Sequence, residues 1–215
     1  IRNANIMIVV PMRERGPVIR PMLDVVARLM SPERIVVVND GSDEEAIATA
    51  RAYGVWIVER DAMLDILNWE RLLPVLNLAV RPRGKGIAVL AGYLFSQFLV
   101  EFGLASPDWV IQHDSEIREY ETYRGLEYLA WGLMQSPPDV QYVKIAKYGR
   151  VNETCMAVRV LLPDIYDDSM FNDDIRERAR QLHLRLVPHK WMLTGEFGLD
   201  WHVAMTRPFA TGYLE

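Results

Sequence analysis

The sequence predicts an α/β fold, a mostly parallel sheet flanked by helices, in one domain spanning residues 1–215. Short β-branched runs alternate with amphipathic stretches through the first half of the chain, the pattern of βαβ units. The runs are continuously apolar, as strands covered on both faces must be. Polar turns follow several of them, and the carboxyl ends of strands are where open α/β sheets bind ligands.

Ile6 to Val10 forms the first such run, and apolar residues from Val18 to Met30 then recur at helical spacing, so Gly16 to Met30 is expected to be a helix. Ser31-Pro32-Glu33 breaks it. Ile35 to Val38 is the second strand, Asn39-Asp40-Gly41-Ser42-Asp43 a turn, Glu44 to Tyr53 a helix, and Val55 to Val58 the third strand. Asp61 to Val80 reads equally as a loop or as a helix over the sheet. The basic segment Arg81-Pro82-Arg83-Gly84-Lys85-Gly86 leads into a helix over Ile87 to Phe102. Trp109 to Gln112 is the next strand, Glu121 to Gln135 a helix and Gln141 to Ala146 a strand. Beyond Arg150 the pattern is mainly helical, with a helix through Ile175 to Leu182.

With 215 residues, half of them apolar, the chain can bury a core without disulfides or structural metal. A single cysteine, Cys155, forms no intrachain disulfide; with no zinc spacing, this fits a reducing, cytoplasmic setting. No apolar run is long enough to span a bilayer, so no membrane span is expected. The formal charge of -5 argues against a general nucleic-acid binder. The chain starts at an apolar strand and ends inside an apparent motif, as a piece of a longer protein would. A homodimer is left open.

Four turns carry polar chemistry. Val110 to Gln112 leads through His113 into Asp114-Ser115-Glu116, two carboxylates one residue apart at a strand end. Mg²⁺ and Mn²⁺ favour such hard oxygens and share them with substrate phosphates, so Asp114 and Glu116 are the candidate metal ligands. In Arg83-Gly84-Lys85-Gly86 the glycines let backbone N–H groups approach an anion at a helix N-terminus, and Lys85 adds charge. Asp40 or Asp43 can accept from base N–H or ribose hydroxyls, Gly41 permits the turn, and Ser42 can cap the next helix. Asp43 reads equally as a helix-terminal charge. The remaining turn is Pro11-Met12-Arg13-Glu14. His113 should point away from Asp114 in strand alternation. Cys155 reads as packing, and Trp191 and Trp201 as core or pocket wall.

In this order the four turns resemble those of GT-A glycosyltransferases, with a Val-Pro strand, an Asp-Gly-Ser turn and an Asp-X-Asp-like motif. Gly149-Arg150-Val151-Asn152-Glu153, Leu193-Thr194-Gly195-Glu196 and Pro208 to Tyr213 extend the resemblance to glucosyl-3-phosphoglycerate and mannosyl-3-phosphoglycerate synthases. The resemblance implies transfer of a hexose, glucose or mannose, from a nucleoside-diphosphate sugar to 3-phosphoglycerate, with retention and with Mg²⁺ or Mn²⁺. It places the nucleotide at Pro11, Glu14, Asp40, Ser42 and Ser115, the diphosphate at Lys85, and the metal at Asp114 and Glu116. The acceptor falls to Arg150, Asn152, Thr194 and Gly195, with Glu196 lining the sugar pocket as a catalytic candidate beside Asp114 and Lys85. Residues 1–116 would form the nucleotide half and 117–215 the acceptor half. Arg13, Glu116 and Asn152 depart from the family pattern, in which Asn, Asp and Thr or Ser are usual. Two other readings stand beside it: an inverting family-2-type enzyme with Glu196 as base, and a nucleotide-sugar-binding module without turnover.

Overall fold

The computed structural model describes residues 5–66, 84–115, 125–135, 142–146, 156–159 and 197–201. In chain order these form β1 (Ile6–Met12), α1 (Arg20–Leu29), a short 3₁₀ turn (Pro32–Arg34), β2 (Ile35–Asn39), α2 (Glu44–Arg51), β3 (Trp56–Glu59) and α3 (Arg60–Ile66). After them come α4 (Lys85–Glu101), β4 (Trp109–Gln112), α5 (Gly125–Gln135), β5 (Tyr142–Ala146), β6 (Met156–Arg159) and β7 (Phe197–Asp200).

The strands make one seven-stranded sheet in the order β3-β2-β1-β4-β7-β5-β6. β3, β2, β1 and β4 are parallel, β7 runs antiparallel to β4 and β5, and β5 pairs antiparallel with β6. The four-stranded parallel part flanked by helices is the predicted α/β core. Two expectations change. The predicted helical character beyond Arg150 gives way, among the described residues there, to the strands β6 and β7; the expected helix Ile175 to Leu182 lies outside the described residues. The ambiguous stretch opens as a helix, α3, with 67–83 outside them.

β1 explains why its run is apolar throughout: all seven of its residues are buried, on alternating faces. Ile6, Ile8, Val10 and Met12 pack with Met22, Leu23 and Val26 of α1, with α2, and with Leu126, Leu129 and Leu133 of α5. Met7 and Val9 pack on the other face with Val36, Val38, Met63 of α3, Ala88 and Ala91 of α4, and Trp201. Asp43 caps α2 through its side chain, and the helix closes before Gly54, whose φ of 71° suits the left-handed exit. α4 stops in a Schellman turn: the Gly103 N–H reaches Val100 O at 2.9 Å and the Leu104 N–H reaches Leu99 O at 2.8 Å, around a φ of 70° at Gly103.

α4 lies close against the sheet because of Gly92. A methyl there would fall 2.3 Å from Val9 Cγ1 and 2.9 Å from Val38 Cγ2, both on stiff β-branched side chains in the core. Gly92→Ala should therefore destabilise the protein by roughly 1–3 kcal/mol despite alanine's better helix propensity, read as a lower urea midpoint at unchanged slope. The same close approach sets the N-terminus of α4 over the carboxyl ends of β1 and β4.

Candidate active site

β1 is flanked by β2 on one side and β4 on the other, so the chain order reverses between β1 and β4. Such a switch point opens a crevice at the carboxyl ends of the strands. A cavity of about 270 Å³ lies there. Pro11, Met12, Arg13 and Glu14 line it from the end of β1, Asp40 from β2, Gly84 and Lys85 from α4, and Asp114 and Ser115 from β4.

Each wall is held by defined bonds. The Ser42 hydroxyl donates to Met12 O at 3.0 Å and accepts from the Glu14 N–H at 2.9 Å, tying the second turn to the first. Ser115 Oγ donates to Glu14 Oε1 at 2.6 Å and so bridges the ends of β4 and β1. Arg60, the first residue after β3, pairs with Asp40, whose side chain is only 5% exposed, and with Asp61 at 2.9 Å. Lys85 Nζ pairs with Asp114 Oδ1 inside the cavity. Gly84 has φ 110° and ψ -178°, a conformation that side chains resist, and no side chain among the described residues caps α4. The uncapped start of a 17-residue helix therefore presents its positive end, together with Lys85, to the cavity.

Of the residues singled out in the sequence, Pro11, Glu14, Asp40, Lys85, Asp114 and Ser115 come together in this one cavity. Ser42 does not line it, and the cap foreseen for its hydroxyl is made by its neighbour: Asp43 Oδ1 accepts from the Ala46 N–H at 2.9 Å. Lys85 and Gly86 were expected to precede the helix and instead begin it. His113 is fully buried behind the loop, its Nδ1 2.9 Å from Asp114 O, and Trp201 is core. Glu116, Arg150, Asn152, Thr194, Gly195 and Glu196 lie outside the described residues, as do Cys155 and Trp191. Sequence reasoning missed Arg60 as the partner of Asp40.

Asp43 is held below the usual carboxylate range, first by the backbone N–H of Ala46 and then by that of Gly16, which its oxygens meet at 2.9 and 3.1 Å. A lowered folded-state value means this contribution is complete above the ordinary carboxylate pKa and fades as pH falls through the lowered one. Asp43→Ala should thus be less stable than the wild type at neutral pH, with the gap closing below about pH 4. Thermal unfolding of both proteins across that range checks it, and a gap that widened toward acid would contradict it.

Among the described residues no three His, Cys, Asp or Glu side chains gather as a metal cage. Among the described residues that follow β4, Asp114 alone brings a carboxylate to the cavity. This donor set fits a hard cation that takes one or two protein carboxylates and completes its shell with phosphate oxygens and water.

The parallel core, the switch-point crevice and the antiparallel strands beyond β4 define a Rossmann-like fold of the GT-A glycosyltransferase type. Solved structures that share it include those of glucosyl-3-phosphoglycerate synthase from Mycobacterium tuberculosis. One, in complex with UDP, is 21% identical with a TM-score of 0.55, covering 94% of this chain and 58% of that one. A second, with Mn²⁺, UDP-glucose and glycerol 3-phosphate, is 20% identical with a TM-score of 0.56 and the same coverage. A third, with Mn²⁺, UDP and phosphoglyceric acid, is 20% identical with a TM-score of 0.54, covering 94% of this chain and 57% of that one. The chain thus spans less than two thirds of the length of these structures. No protein-family model and no curated protein sequence matches it. No helix among the described residues is long and apolar enough to cross a membrane.

Proposed function

We propose that this chain is a metal-dependent glycosyltransferase that moves a hexose from a nucleoside-diphosphate sugar to 3-phosphoglycerate with retention. The observation that carries the reading is the switch-point cavity, where Glu14, Asp40, Lys85, Asp114 and Ser115 converge beside an uncapped helix N-terminus. The complexes of structures with the same fold, which hold UDP or UDP-glucose, Mn²⁺ and phosphoglyceric acid, support the choice of ligands.

In this reading Pro11, Glu14 and Asp40 face the base and ribose, with Ser42 and Ser115 holding the loops that carry them. Lys85 and the first N–H groups of α4 take the diphosphate. Asp114, with Glu116, would hold Mg²⁺ or Mn²⁺, whose chemistry is to neutralise charge on the departing diphosphate. Lys85 acts toward the same end, stabilising charge that develops as the bond between the anomeric carbon and the diphosphate oxygen breaks. The acceptor hydroxyl forms its bond to that carbon on the same face, and its proton passes to the departing phosphate. Arg150 and Asn152 are assigned to the acceptor anion, since a guanidinium fork matches phosphate or carboxylate in two contacts. Thr194, Gly195 and Glu196 are assigned to the sugar and acceptor pocket.

Calorimetry of UDP and GDP with and without Mn²⁺, beside turnover of UDP-glucose and GDP-mannose with 3-phosphoglycerate, tests the assignment. Metal-dependent binding with a retained anomer in the product, determined by NMR, is expected. Binding without turnover returns the module reading, and an inverted anomer the family-2-type reading. Lys85→Ala should weaken UDP or GDP binding by about 1.5–3 kcal/mol, the worth of a charged hydrogen bond, and leave the free nucleoside almost unaffected. Equal losses for nucleoside and diphosphate would assign Lys85 a structural role instead.

A further inference from the structure

Asn39 and Glu59 are direct register partners at the ends of β2 and β3. Asn39 Nδ2 donates to both carboxylate oxygens of Glu59, at 3.0 and 2.8 Å. Asn39 Oδ1 accepts from the backbone N–H of Gly41 at 3.2 Å and of Ser42 at 2.8 Å. Chemistry dictates this orientation of the amide. A backbone N–H can only donate, so the amide oxygen must face the turn, and the nitrogen then faces the carboxylate. Turning the amide over would set donor against donor and acceptor against acceptor at all of these contacts. Asn39 is 7% exposed, so water is a poor substitute for the lost bonds.

The turn fixed in this way carries Asp40 into the cavity and aims the Ser42 hydroxyl at Met12 O and Glu14 N. Glu59 itself is exposed and is not among the residues lining the cavity. Among the described residues, its side-chain hydrogen bonds go to Asn39, which links it to the turn that enters the cavity. We propose that Glu59 is a positioning residue, holding the Asn39 amide so that the Asp40–Ser42 turn keeps the shape that the nucleotide part of the donor requires. The proposal rests on the nucleotide-sugar reading for the ligand but on hydrogen-bond geometry for the relay.

A charge-swap cycle tests it. Asn39→Asp sets two carboxylates against each other, and should weaken binding of UDP in the presence of Mn²⁺ by about tenfold, the loss expected when a charged hydrogen bond becomes a repulsion. Adding Glu59→Gln gives the new carboxylate an amide donor while its other oxygen still accepts from Gly41 and Ser42. The double variant should therefore bind UDP within roughly threefold of the wild type, a rescue that only coupled neighbours show. Glu59→Lys, at an exposed position that tolerates folding, presents an ammonium to the amide nitrogen, favours the flipped amide and should also weaken UDP about tenfold. Asn39→Asp binding like the wild type, or a double variant no better than Asn39→Asp alone, would overturn the relay. If the wild-type protein binds no UDP, the transferase reading falls, and amide hydrogen exchange decides the relay by itself. Exchange at Gly41 and Ser42 should then quicken in Asn39→Asp and slow again in the double variant; exchange indifferent to these changes refutes it.

Discussion

Asp114→Ala is expected to lower turnover of the nucleotide sugar by about 10³-fold or more, corresponding to the several kcal/mol that a metal-held leaving group contributes at the transition state. Asp114 is the described carboxylate at the end of β4, and it is 17% exposed, so water screens it weakly. One of its oxygens, Oδ1, is paired with Lys85. The substitution therefore does two things of opposite sign. It removes the proposed anchor for the cation, and it releases an ammonium that can meet the diphosphate without first leaving a partner. UDP binding measured with a chelator present should stay level or strengthen in Asp114→Ala, while the gain normally produced by Mn²⁺ disappears. A simple loss of folding would weaken both arms together. Wild-type turnover at limiting Mn²⁺ would remove Asp114 from the metal site.

What was legible in the sequence follows from which interactions are local. The parallel strands were readable because continuous β-branched runs leave few alternatives, and Trp109–Gln112 was placed to the residue. Glu14, Asp40, Lys85 and Asp114 were readable as site candidates because parallel strands put their carboxyl ends at one edge, so turns far apart in sequence converge. Ser42 and Asp43 are both cap-forming types. The choice between them was made by Met12 and Glu14, which engage the Ser42 hydroxyl across 30 and 28 positions of chain. β6 and β7 span four residues each, too few to establish a period, and their partners lie across long sequence separations. The crowding at Gly92 likewise depends on Val9 and Val38, which no local pattern connects to it.

Arg60 was hidden for a similar reason, and its substitution should have the largest effect on stability. As the first residue of α3 it sets a positive charge at the positive end of a helix, a local conflict that needs compensation elsewhere. Carrying the β2–β3 register one step past Asn39 and Glu59 supplies it, because Asp40 then stands opposite Arg60. The pair is mostly withdrawn from water, with side chains 13% and 5% exposed. Removing the cation leaves a carboxylate with little solvent around it, a change that typically costs 3–5 kcal/mol. Asp40 lines the cavity, so water can reach part of it in the variant, and the lower end applies: Arg60→Ala should cost about 3 kcal/mol, read as a lower urea midpoint. Arg60→Lys should recover only part of the loss, because a single ammonium cannot span Asp40 and Asp61 as the guanidinium does. Asp40→Asn added to Arg60→Ala should recover more than half, since it removes the unpaired charge itself. An Arg60→Ala protein within about 0.5 kcal/mol of the wild type, the range of ordinary surface substitutions, would mean that the pair contributes nothing to the fold and that Asp40 is held in the cavity by its backbone alone.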